Sequence, residues 1–115
     1  MRGMAQRAWD NGEFFFYIRI PESLLPEERG EKYEEPLAAA LRAARLGRVC
    51  GGGTKPGPGK TIAYCGVDVV VRERVRGLEV LRSKLIELGA PPETVIEEFI
   101  PKLCEHSLMP PQAES

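Results

Sequence analysis

Apolar residues along this chain recur with two different periods, and the places where one period gives way to the other mark out the elements. From Glu13 to Ile20 the period is two, which predicts a strand closed by Pro21. Its alternation puts Phe14, Phe16, Ile18 and Ile20 on one face, expected to be core, and Phe15, Tyr17 and Arg19 on the other. The next stretch, "PESLLPEERGEKYEEP", is rich in proline and glutamate and reads as an irregular loop anchored at Leu24 and Leu25. In "YEEPLAAALRAARLG" the period becomes helical: Leu37, Ala40, Leu41 and Ala44 recur at steps of three and four, Arg42 and Arg45 come late, and Gly47 closes the stretch.

Two β-like segments come next, Arg48 to Thr54 and Thr61 to Val71. In the second, Ala63, Cys65, Val67, Val69 and Val71 share the expected core face, while Ile62, Tyr64, Gly66, Asp68 and Val70 share the other. The helical period returns in "RERVRGLEVLRSKLIELG", with Leu78, Leu81, Leu85 and Leu88 on one stripe and Gly89 as terminator. Thr94 to Phe99 fits either period, and the strand is the reading taken. The order strand, helix, strand, strand, helix, strand predicts an α+β fold with the layout of a ferredoxin-like β-α-β-β-α-β sandwich, an antiparallel sheet with both helices on one face. Residues 1–12 are expected as an N-terminal extension, 13–101 as one domain, and 102–115 as a flexible tail.

The glycine-rich stretch "GGGTKPGPGKT" ends like a phosphate-binding loop, which raises the question of a nucleotide. That loop needs glycine five positions before Gly59, where this chain has Thr54, and it needs a helix afterwards, where this chain has alternating β-branched residues. Pro56 and Pro58 also remove two amide donors. A hairpin turn is therefore expected. A centre between Gly57 and Pro58 would set Cys50 opposite Cys65, and buried structural thiols are preferred over a redox pair.

Composition and charge narrow the classes further. The 115 residues suffice for one core, and a formal net charge of -1 gives no global field to gather nucleic acid or anionic lipid. The apolar runs are far below the ~20 residues of a membrane helix, and the first residues do not read as a secretory signal. A cytoplasmic location with no membrane partner is the expectation. Three cysteines without a C-x-x-C pair predict neither a zinc site nor a disulfide framework, and no cofactor or metal is expected.

Function is sought on the sheet face away from the helices. Phe15, Tyr17 and Arg19 of the first strand, with Ile62, Tyr64, Asp68 and Val70 of the strand before the second helix, make that face too apolar to leave in water, which predicts a partner surface or ligand groove at Phe15, Tyr17, Arg19, Tyr64 and Asp68. The reading taken is a non-catalytic binding or regulatory module working there as a homodimer, with a small-molecule or protein partner as the other option. Cover by Trp9 or by the proline-rich segment of the same chain is the competing expectation. Two alternatives use the same residues: a small enzyme with a pocket formed by Tyr64, Asp68 and Arg19, and single-stranded RNA stacked on Phe15, Tyr17 and Tyr64. The RNA signature motif is absent and the net charge offers no steering, so nucleic acid is not the partner expected. Glu97 and Glu98 read as exposed surface.

Overall fold

The computed structural model describes residues 2–56, 62–98 and 104–107 of the chain. Its elements are helix α1 (Arg2–Asp10), strand β1 (Phe14–Ile20), helix α2 (Pro26–Arg29), a π-helical stretch (Gly30–Glu34), helix α3 (Glu35–Ala43), strands β2 (Gly47–Pro56) and β3 (Ile62–Val71), helix α4 (Arg74–Glu87) and strands β4 (Val95–Glu98) and β5 (Cys104–Ser107). The strands form one antiparallel sheet in the order β2-β3-β1-β4-β5. The fold is a small α+β structure. Regular elements also form where none was expected: α1 in the N-terminal extension, α2 and the π-helical stretch in the proline-rich segment, and β5 in the tail, where it pairs with β4.

Alternation in the two central strands builds the main core. Phe16, Ile18 and Ile20 of β1 and Cys65, Val67, Val69 and Val71 of β3 are fully buried beneath Leu37 and Leu41 of α3 and Leu81 and Leu85 of α4. Thr94 to Phe99 resolves in favour of the strand over its described part, because pairing Ile96 with Ile18 carries Ile96 into this core.

The proline-rich segment is a correction: it is helical from Pro26 onward rather than irregular. Pro26 supplies a fixed φ at the first helical position, and Glu28 reaches back to accept a hydrogen bond from the Leu25 N–H at 2.8 Å. Pro36 then sits within the continuous helical run, where its ring crowds the carbonyl four residues earlier and its missing N–H removes a bond. The chain answers with a wider turn just ahead of it, in which the Glu35 N–H bonds the Gly30 carbonyl five residues back. Tyr33, fully buried, leaves this turn toward the core and donates its hydroxyl proton to Glu22, which Lys32 also contacts at 2.9 Å.

The hairpin exists, but its register differs from the counted one. Thr54, not Cys50, is opposite Cys65, and an irregularity between Val49 and Gly51 leaves Cys50 as the extra residue of a bulge. The two thiols therefore do not face each other. Cys65 lies in the core and Cys50 is exposed. Burial pushes both thiols above their ordinary value. The turn itself, residues 57–61 with the Gly59-Lys60-Thr61 ending, lies outside the described residues. The chain continues beyond it as strand β3, not as the helix that phosphate binding requires. Gly47 does not terminate α3 but opens β2, where a Cβ would collide with the Val70 carbonyl.

Candidate functional site

The face of the sheet away from α3 and α4 divides into two parts. Over its first part lies α1. Ala8, Phe15 and Val70 form a second, small buried cluster with Tyr17 packed at its border, and Trp9 meets Phe14 edge-on with ring centroids 6.2 Å apart. Phe15 is thus covered by its own chain, 4% exposed, and its ring is closed to any base or partner. Cover from the N-terminus, expected from Trp9, comes at this end of the face from Ala8 of α1, while Trp9 is 43% exposed and meets Phe14 of the other face.

Beyond α1 the face is open among the described residues, and there the half-buried Tyr17, Arg19, Tyr64 and Asp68 come together. Pairing of β1 with β3 sets Tyr17 beside Asp68 and Arg19 beside Gly66. Gly66 is what allows the cluster to close, because the Tyr17 ring lies across it and any Cβ there would strike the ring. The Tyr17 hydroxyl thereby reaches and hydrogen-bonds Tyr64. Burial, and after it the neighbouring Tyr64 and Asp68, push the Tyr17 hydroxyl up to about 12, so it stays a neutral donor at physiological pH.

Arg19 holds the other side of the cluster. Its guanidinium lies 6.0 Å from the centre of the Tyr64 ring and 3.1 Å from Glu97 Oε2. Glu97 was missed as a member of the site and read as part of an exposed acidic run. Alternation along β4 could have found it, since the residue opposite Tyr17 must share the face of Tyr17. The same alternation sends Glu98 to the other face, where it is 3% exposed and binds Arg74 at 2.8 Å.

The fourth member is Asp68. Its Oδ1 is buried and has no hydrogen-bond partner among the described residues. Burial raises its carboxyl above the ordinary range, and Glu34 adds to the effect. The bulge at Cys50 contributes to this setting, because it places Gly51, with no side chain to offer a donor, opposite Asp68. Among the described residues no group of three or more histidine, cysteine, aspartate or glutamate side chains could hold a metal ion.

No family model, curated protein or solved structure matches this chain. Among the described residues no helix is long and apolar enough to cross a membrane. The geometry therefore carries the functional argument alone.

Proposed function

We propose that the protein is a non-catalytic binding module whose working surface is the open part of this sheet face, and that its working form is a homodimer through that surface. The observation that carries the reading is Asp68: a buried acceptor without a donor costs about 1–3 kcal/mol, and a partner that supplies the donor recovers it. A second copy is the partner favoured, because a two-fold interface brings one patch against itself and this patch holds both signs. Arg19, Tyr17 and Tyr64 are donors, and Asp68 and Glu97 are acceptors. The RNA alternative loses one of its three rings, since Phe15 is under α1.

We also read the layout as the split β-α-β arrangement of ferredoxin-like domains, with α1 and β5 added at its two ends. Supporting this, β1 and β3 are neighbours in the middle of the sheet, with β2 outside β3 and β4 outside β1. That fold hosts many functions and names none.

The test is the solution mass across a concentration series by light scattering. The wild type should run as a dimer, and Asp68→Lys with Tyr64→Ser should run as a monomer with an unchanged circular dichroism spectrum. A wild type that stays monomeric at all concentrations overturns the homodimer.

A further inference from the structure

A second feature lies at the opposite end of the β2–β3 hairpin from the glycine-rich turn. Where α3 ends and β2 begins, an open cleft of about 510 Å³ is lined by Arg42, Arg45, Arg48 and Arg72, with Gly47 and Glu13 completing the wall. Glu13 pairs with Arg48 at 3.2 Å, and no carboxylate among the described residues forms an ion pair with the other three. Four positive charges therefore face one negative charge, in a chain whose overall balance is -1. A smaller neighbouring cleft uses Glu13 and Arg48 as a shared wall and adds Arg7.

The simplest explanation for arginines here is the negative end of the α3 dipole. It covers Arg42 and Arg45, which come late in the helix, but not Arg48 on β2 or Arg72 after β3. Nor does it account for the backbone of Arg45. The Leu46 N–H bonds the Leu41 carbonyl at 3.0 Å and the Arg45 N–H bonds the Arg42 carbonyl at 3.1 Å, which makes Arg45 the left-handed residue of a Schellman cap. Its φ is +56, the only positive value among the described non-glycine residues. Two other helices of this chain end in the same motif, α1 at Gly12 with φ +75 and α4 at Gly89 with φ +79. Glycine takes that conformation freely, and a side chain there is strained. The chain thus uses glycine at two such caps and bears the strain at the third, where the side chain faces the cleft.

We propose that this cleft is an anion site for a polyphosphate group, as in a nucleoside di- or triphosphate or an inorganic polyphosphate. One phosphate is matched by one or two guanidinium forks, whereas four arginines around one cleft suit two or more linked phosphates. A small ligand is favoured over a nucleic acid because the net charge provides no wider basic surface to track a polymer. The site is separate from the tyrosine and aspartate cluster, and each can fail without the other.

The test is calorimetric titration of the full chain with pyrophosphate and tripolyphosphate in chloride buffer, with sulfate as control. Tripolyphosphate should bind more tightly than pyrophosphate and sulfate weakly. Arg45→Gly and Arg72→Gln should each weaken tripolyphosphate by about ten-fold, the loss expected for one charge-assisted contact. Arg45→Gly should raise the melting temperature at the same time, a split that a purely structural arginine would not give. Arg76→Gln, on α4 and not among the residues lining the cleft, should leave binding unchanged. No binding at millimolar tripolyphosphate, or an equal loss in Arg76→Gln, overturns the site. An oligonucleotide that binds more tightly than tripolyphosphate and displaces it overturns the small-ligand assignment in favour of a phosphate backbone.

Discussion

The two faces of the sheet are built from the same strands and obey opposite rules. On the face under α3 and α4, each inward residue of β1 from Phe16 to Ile20 and of β3 from Cys65 to Val71 is apolar and fully buried. On the other face the same strands carry Tyr17, Arg19, Tyr64 and Asp68, of which Asp68 keeps a buried oxygen without a donor. The first face is a solution to packing. The second contains groups whose burial costs stability within the chain, which is the pattern of a surface arranged for something outside it.

The sharpest contrast is between adjacent phenylalanines of one strand. Phe16→Ala opens a cavity among fully enclosed neighbours and should cost about 3–5 kcal/mol, read as a shift in the urea midpoint. Phe15→Ala removes the same atoms from the small cluster beneath α1, where the helix can settle into the space. It should cost less, about 2 kcal/mol, and should accelerate amide exchange in α1 well before the rest of the chain. Equal losses at the two positions would mean that α1 is as firmly part of the core as α3 and α4, and the contrast between the faces would fail.

That difference in packing also explains what could be read from the chain alone. The covered face was legible because alternation in "FFFYIRI" and "IAYCGVDVVV" and the leucine stripe of α4 are local patterns with one solution. The open face required knowledge of what lies over it. Among the described side chains α1 meets the sheet at Ala8 and Trp9, two positions that make no stripe in the sequence. The register of β2 was misread for a related reason: a run of three glycines places no side chains to mark the faces, so a one-residue bulge at Cys50 leaves no trace in the pattern. Pro26 reads as a breaker in the sequence, although it is at a helix start. Tyr17, Arg19, Tyr64 and Asp68 could be grouped from alternation. That Tyr17 lies across Gly66 and that Asp68 Oδ1 lacks a donor are properties of side-chain geometry, which alternation does not reach.

The smallest effect tests the contrast from the open side, and its sign is opposite to that of the core substitutions. Asp68→Asn replaces a buried charge with a neutral amide of nearly the same shape, so at pH 7 it should stabilise the isolated chain by about 1 kcal/mol, a rise of several degrees in melting temperature. The gain must depend on pH. Because the folded-state carboxyl is raised above its ordinary value of 3.8, folding favours its protonated form. Its contribution to stability is therefore intact below the ordinary value and is lost as pH rises through the folded one. The Asn variant should match the wild type in acid and exceed it at neutral pH, in melting curves recorded from pH 3.5 to 8. A variant destabilised at pH 7 at a dilution where light scattering reports monomer would show that the charge already has its partner within the chain, and the open face would then be as self-sufficient as the covered one.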